Sequence, residues 1–157
     1  MTFSEIAHVA LSVSNIERSI RFYEEILGFH KVLDVAFGSA LQPILKLRPD
    51  VGENARAVML AQGESSVGRI ELIEFSPSGP ATKPKLPGDP GVFLLSFRLV
   101  SDDLDAVCDR LRTKGISFYH ETPTTLELKG YGAVRVMILE DPDGVMIELV
   151  ELPTAVG

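Results

Sequence analysis

The sequence contains a single cysteine, Cys108, so no disulfide can form within the chain. One thiol also cannot make a Cys-x-x-Cys pair, which removes the usual redox and zinc-ribbon readings. The lack of disulfides fits a reducing cytoplasm, the compartment we expect. No apolar run approaches the ~20 residues of a membrane-spanning helix. Met1-Thr2-Phe3-Ser4-Glu5 shows no basic stretch leading into an apolar core, so no signal peptide is expected. There is no Lys/Arg cluster to interrupt a formal net charge of -7, so nucleic acid would be repelled over most of the surface. A nucleophile triad and a phosphate-cradling glycine loop are missing as well. What these absences leave is small-molecule chemistry or protein contact.

The composition is that of a folded protein, 45% hydrophobic and 24% charged. The 157 residues suffice for one compact domain and not for two independent ones. Ile6 to Val13 alternates and is rich in branched side chains, which predicts a strand. Ser14 offers an N-cap with Glu17 three residues on, and Ile16, Ile20, Tyr23 and Leu27 recur at helical spacing before Gly28. Strands follow at Phe29 to Ala36, Arg56 to Ala61 and Arg69 to Phe75; Phe37 to Asp50 reads as a loop with a short helical turn. A Pro- and Gly-rich linker, Ser76 to Pro90, interrupts the pattern.

After it the order begins again. Val92 to Val100 predicts a strand, and Ser101-Asp102-Asp103 supplies capping chemistry for a helix with Leu104, Cys108 and Leu111 on its apolar face. Strands are expected at Ile116 to Tyr119, Ala133 to Leu139 and Val145 to Leu149, with a type I turn at Asp141-Pro142-Asp143-Gly144. The halves end alike, in Ile70-Glu71-Leu72 and Ile147-Glu148-Leu149. Such a repeat means two units that complete their burial by pairing. The expected architecture is α+β: two paired βαβββ modules in a single domain over 1–157. Module one spans about 4–76, the linker about 77–90 and module two about 91–152.

Strand alternation places the polar residues. In the first strand Val9, Leu11 and Val13 form a uniformly apolar face suited to the helix, which puts His8 on the opposite face. Glu71 and Glu148 likewise point away from the helices, among apolar neighbours where an unpartnered carboxylate is costly. A divalent cation (Zn, Ni, Fe, Mn or Co) bound by one imidazole and two carboxylates would remove that cost. Arg56, Arg98 or Arg135 would do the same without metal. Glu74 and Glu151 fall on the other parity, as solvent-facing or helix-edge charges. His30 and His120 read as surface residues, Cys108 as a buried structural thiol, and Tyr131 as either a turn residue or a flap over a ligand.

His8-Val9-Ala10-Leu11-Ser12-Val13 through Phe22-Tyr23 and Leu27-Gly28-Phe29 resembles the opening strand and helix of the glyoxalase/bleomycin resistance protein/dioxygenase (vicinal oxygen chelate) superfamily. Asp103-Leu104-Asp105-Ala106 with Lys114-Gly115-Ile116 is similar to its second-module helix, and Asp141-Pro142-Asp143-Gly144 into Ile147-Glu148-Leu149 to its closing turn and strand. The resemblance implies a cupped mixed sheet holding a metal, with His8, Glu71 and Glu148 at three of four ligand positions. The fourth, a histidine in metal-binding relatives, falls at Leu94 or Ser96, depending on how the strand is matched. It further implies a homodimer acting on a small molecule. The activity would be that of a metal-dependent lyase or isomerase/epimerase on a small carbonyl compound, with Glu148 or Glu71 moving the proton. The alternative is a non-catalytic protein that binds a drug or aromatic metabolite in the bleomycin-resistance manner.

Overall fold

The computed structural model describes residues 5–79, 88, 90–92, 94–100 and 103–153. Contacts divide the chain into two compact units, Met1–Thr82 and Lys83–Gly157. Each carries a four-stranded mixed sheet.

In the first unit β1 (His8–Ser12), α1 (Ile16–Leu27), β2 (His30–Gly38), α2 (Leu41–Leu45), β3 (Asn54–Ala61) and β4 (Arg69–Ser76) follow in order. The sheet order is β1-β4-β3-β2, with β1 parallel to β4 and the other pairs antiparallel. Helix α1 forms because Ile16, Ile20 and Tyr23 fall on one stripe and bury it, and Tyr23 is wholly enclosed, edge-on to Phe29. Val58, Leu60, Ile70 and Leu72 are buried with them, each worth ~1.5–3 kcal/mol when fully withdrawn from water. Gly28 ends the helix in the left-handed conformation (φ 71°), where its N–H bonds back to Glu24 and Tyr23 carbonyls.

The second unit repeats the plan with β5 (Leu94–Arg98), α3 (Leu104–Thr113), β6 (Thr124–Leu128), β7 (Gly132–Glu140) and β8 (Met146–Glu151). Its order, β5-β8-β7-β6, has the same parallel first pair. Leu104, Val107, Cys108 and Leu111 of α3 are buried, as are Leu139, Ile147 and Leu149 of the sheet. Asp103 caps α3 by accepting the Ala106 N–H. The turn at Asp141 closes through Gly144 N–H to Asp141 O at 3.0 Å, while Asp141 Oδ1 accepts from Asp143 and Val145.

Three local expectations are corrected. The N-cap of α1 is Asn15, whose side chain accepts the Arg18 N–H; Ser14 Oγ instead accepts from the Arg18 guanidinium. Glu17 is drawn to Arg56 rather than back into a capping box. Ile116 to Tyr119 is not a strand: Phe118 makes one bridge to Leu139 and Arg112 lies over its ring. The true strand there is β6, an edge strand exposed at all five positions, so it has no buried face for an alternation rule to find. Finally, Ser101 and Asp102 of the capping stretch, and most of the proline-rich linker, lie outside the described residues.

Candidate functional site

Each unit sets the glutamate at the third position of its last strand against one partner from the neighbouring parallel strand. In the first unit, β1 and β4 pair with Ala10 opposite Glu71. His8, two residues earlier on the same face, sets its Nε2 3.6 Å from Glu71 Oε2. The side chains are 43% and 19% exposed, so the pair is open to a ligand from solvent. Along the same face, Ile73, Ala55 and Ala57 are buried beneath Phe37, Leu41 and Phe75. The Phe37 to Asp50 stretch therefore does contain a helical turn, α2, and it covers the apolar end of the face that carries Glu71.

In the second unit the register sets Ser96 opposite Glu148. Ser96 Oγ donates to Glu148 Oε2 at 2.6 Å, the length of a charge-assisted O–H···O⁻ bond. Leu94 stands two residues earlier, opposite Met146. Superimposing the two registers makes Ser96 the counterpart of Ala10 and Leu94 the counterpart of His8. Of the two positions considered for a second-module ligand, the register thus selects Leu94. Sequence reasoning missed Ser96 as a partner of Glu148, because only pairing register, and not the strand pattern, reveals which residue lies opposite.

Two of the three arginines considered as holders of these carboxylates, Arg56 and Arg135, bind other acids. Arg56 pairs in register with Glu74 and Arg135 with Glu151, which puts both on the helix side of their sheets. Arg56 binds Asp34 bidentately at 2.8 Å and reaches Glu17 at 2.5 Å. Arg135 reaches Glu151 at 2.8 Å and Asp105 at 2.5 Å. Glu17 and Asp105 are the second residues of α1 and α3, so the repeat preserves a clamp from sheet to first helical turn. Glu74 is a helix-edge charge, its Oε2 accepting the Ile16 N–H at 3.1 Å.

Electrostatic perturbation follows the same division. The Arg56 and then the Lys31 hydrogen bond hold the Asp34 carboxyl well below the usual range. Burial pushes the Cys108 thiol up, in keeping with a structural thiol. The Tyr119 hydroxyl donates to Glu140 at 2.5 Å, which raises the phenol. Tyr131 is exposed in the β6–β7 turn, its N–H bonded to Leu128 O. His30 and His120 are exposed. Among the described residues, no group of three or more His, Cys, Asp or Glu side chains gathers to hold a metal ion. Among the described residues, no helix is long and apolar enough to cross a membrane.

Comparison with known proteins is consistent with this architecture. The chain is 30% identical over 150 residues to a virulence protein of Salmonella typhimurium, covering 95% of this chain and 85% of that one. It is 25% identical over 151 residues to a probable lactoylglutathione lyase of Vibrio parahaemolyticus, covering 96% and 93%. A glyoxalase family protein of Bacillus cereus shares the fold, with a TM-score of 0.77 at 19% identity over 98% of this chain and 97% of that one. The family model for the Glyoxalase/Bleomycin resistance protein/Dioxygenase superfamily matches residues 5–149, and the chain belongs to that superfamily.

Proposed function

We propose that this protein is a metal-dependent lyase or isomerase/epimerase acting on a small carbonyl compound. The observation that carries the proposal is the His8–Glu71 pair, an imidazole and a carboxylate 3.6 Å apart on an open strand face. Ligands about 2.0–2.2 Å from one tetrahedral ion stand roughly 3.4 Å from each other, so the pair fits a shared divalent cation. His8, Glu71 and Glu148 would supply the ligands, a donor set that suits Zn, Ni, Fe, Mn or Co. When bound, such an ion is a Lewis acid for a carbonyl oxygen and makes the neighbouring carbon more acidic. The chain's own part is to hold the substrate beside a carboxylate that takes and returns the proton. Ile73 and Phe75, on the Glu71 face, lower the local polarity and so strengthen charge interactions there. The name of the Vibrio relative supports a lyase acting on a thiol-linked 2-hydroxyacyl compound. A cytoplasmic homodimer completes the reading, and sedimentation of the purified protein checks its assembly.

Elemental analysis of protein purified without a histidine tag tests the proposal, beside His8→Ala and Glu148→Ala. Near one transition metal per chain, lost in both variants, supports it. A wild type that takes up no Ni, Zn, Fe or Mn on incubation sinks it. The companion assay follows solvent deuterium entering a panel of 2-oxo and 2-hydroxyacyl compounds, S-lactoylglutathione among them.

A second reading, sequestration of an apolar or aromatic compound without turnover, is favoured by Leu94 in the register position of His8. In that case a bound compound raises Tm with no metal present.

A further inference from the structure

One row of the first unit's sheet has no polar counterpart in the second. His8 of β1 stands opposite Arg69 of β4, one row before Glu71, so an imidazole, a guanidinium and a carboxylate share a single strand face. The corresponding row of the second unit is Leu94 opposite Met146. The fold therefore does not need polar groups in this row, and their presence in module one calls for a chemical reason. Arg48, Arg56, Arg112 and Arg135 each pair with an acid. Arg69 does not: its Nε donates to the Ser65 carbonyl at 3.1 Å, and among the described residues no carboxylate pairs with its Nη atoms. Glu71, its neighbour on the face, leans on His8 instead. The guanidinium is thus oriented by backbone, with the fork of its two Nη atoms left open.

We propose that Arg69 is a specificity-determining residue: its Nη fork takes the carboxylate of a small 2-oxo acid whose carbonyl group lies at the His8–Glu71 pair. The inference rests on the carbonyl reading given above and narrows it to anionic substrates. A planar guanidinium meets both oxygens of a carboxylate at once, which a lysine or a neutral donor does not. Fixing the unreactive end of a ligand at two points also turns its other end in one direction, here toward the pair. Neighbouring strands lie about 4.7–4.9 Å apart, so a ligand that spans His8 and Arg69 carries its anion close to its carbonyl, as a 2-oxo acid does. On a chain of net charge -7 such an anion preference is local, not general.

The Ser65 contact sets the competing role, in which Arg69 merely fastens the connection between β3 and β4. That connection has other fastenings. Ser65 Oγ bonds to the Val67 backbone, Gly68 N–H donates to Ile6 O, and the Arg69 N–H donates to Ala7 O. Removing the guanidinium therefore leaves the strand pair intact. Arg69→Gln deletes both charge and fork, whereas Arg69→Lys keeps the charge and loses the fork.

The test titrates the full chain calorimetrically with oxamate and with oxamide, both metal-free and loaded with cobalt(II). The two probes are planar, nearly isosteric and unreactive, and differ in one carboxylate against one amide. Wild type should bind oxamate at least ~10-fold more tightly than oxamide, and Arg69→Gln should weaken oxamate about 10- to 100-fold while leaving oxamide unchanged. Arg69→Lys should fall between them. Cobalt stoichiometry should be the same in all, and Arg21→Gln, an exposed change on α1, should behave as wild type. An oxamate preference that survives Arg69→Gln overturns the proposal, because the discrimination then lies elsewhere. Equal loss of both probes in Arg69→Gln, with a lowered Tm, overturns it too, since Arg69 would then be a loop fastener. Oxamate and oxamide bound equally by wild type overturns the role of Arg69 and leaves the carbonyl reading standing. A wild type that binds neither probe, with or without cobalt, overturns that reading and the inference with it.

Discussion

At the scale of single residues, parity in the strands was readable and partners across the sheet were not. His8, Glu71 and Glu148 fall on the helix-averted faces that alternation assigns them. Which side chain meets each of them depends on register, and register is a long-range property. Asp34 illustrates the same limit, since nothing local marks it as the anchor of Arg56, 22 residues away. Its carboxyl is held below the usual range chiefly by the Arg56 hydrogen bond, then by Lys31, so its contribution is fully present above the unfolded value of about 3.9. That contribution fades as the pH falls from there toward the folded value. Urea unfolding at pH 7 and pH 3 should show Asp34→Asn losing less stability on acidification than wild type. The difference should be about 1 kcal/mol or less, because the pair is partly solvent-screened. Cys108 gives a second expectation at this scale. It is fully buried and its thiol is raised by that burial, so an aromatic disulfide reagent at pH 8 should react slowly with native protein and stoichiometrically in urea.

Elements were legible where they bury a face and mark their own ends. The α1 stripe and its Gly28 stop predict the helix over the residues it occupies, and Asp103 does the same for the start of α3. Strand β6 was not legible, because an edge strand with both faces exposed carries no hydrophobic period. The α2 stretch was only partly legible, since five residues give barely more than one turn of pattern. Its anchorage is specific all the same. Gln42 Nε2 donates to Val51 O, and Gly52 N–H donates to Pro77 O. Gly52 has φ +73°, and a Cβ there would stand 2.9 Å from Leu47 Cδ1 and 3.0 Å from Phe75 Cδ1. Gly52→Ala should therefore cost about 2 kcal/mol, from left-handed strain together with displacement of Phe75. Because Phe75 shares the face that bears Glu71, the same variant should also weaken cobalt binding, whereas an exposed-turn variant such as Gly63→Ala should leave it unchanged.

At the scale of the whole molecule, the repeat is what made the fold readable, and its imperfections are what make the two modules chemically different. Matching Ile-Glu-Leu endings announced two equivalent units, and the two sheets share one strand order. Equal order means that residues at equal register are structural counterparts. The chain uses this at the helix side, where Arg56 and Arg135 each clamp the second residue of a helix. On the opposite side it departs from equality, with His8 answered by Leu94 and Ala10 by Ser96. A histidine placed at Leu94 would stand one row from Glu148 as His8 stands from Glu71, giving module two an imidazole–carboxylate pair of its own. Leu94→His should then tighten cobalt(II) binding by about tenfold or more, ~1.4 kcal/mol, and shift the visible spectrum toward a nitrogen-richer ligand set. Half-buried Leu94 sits on a strand that histidine tolerates, so thermal unfolding of the metal-free variant should stay close to wild type. Unchanged cobalt affinity in a folded Leu94→His protein would mean that the repeat governs packing only, and that the ligand set is built by one module.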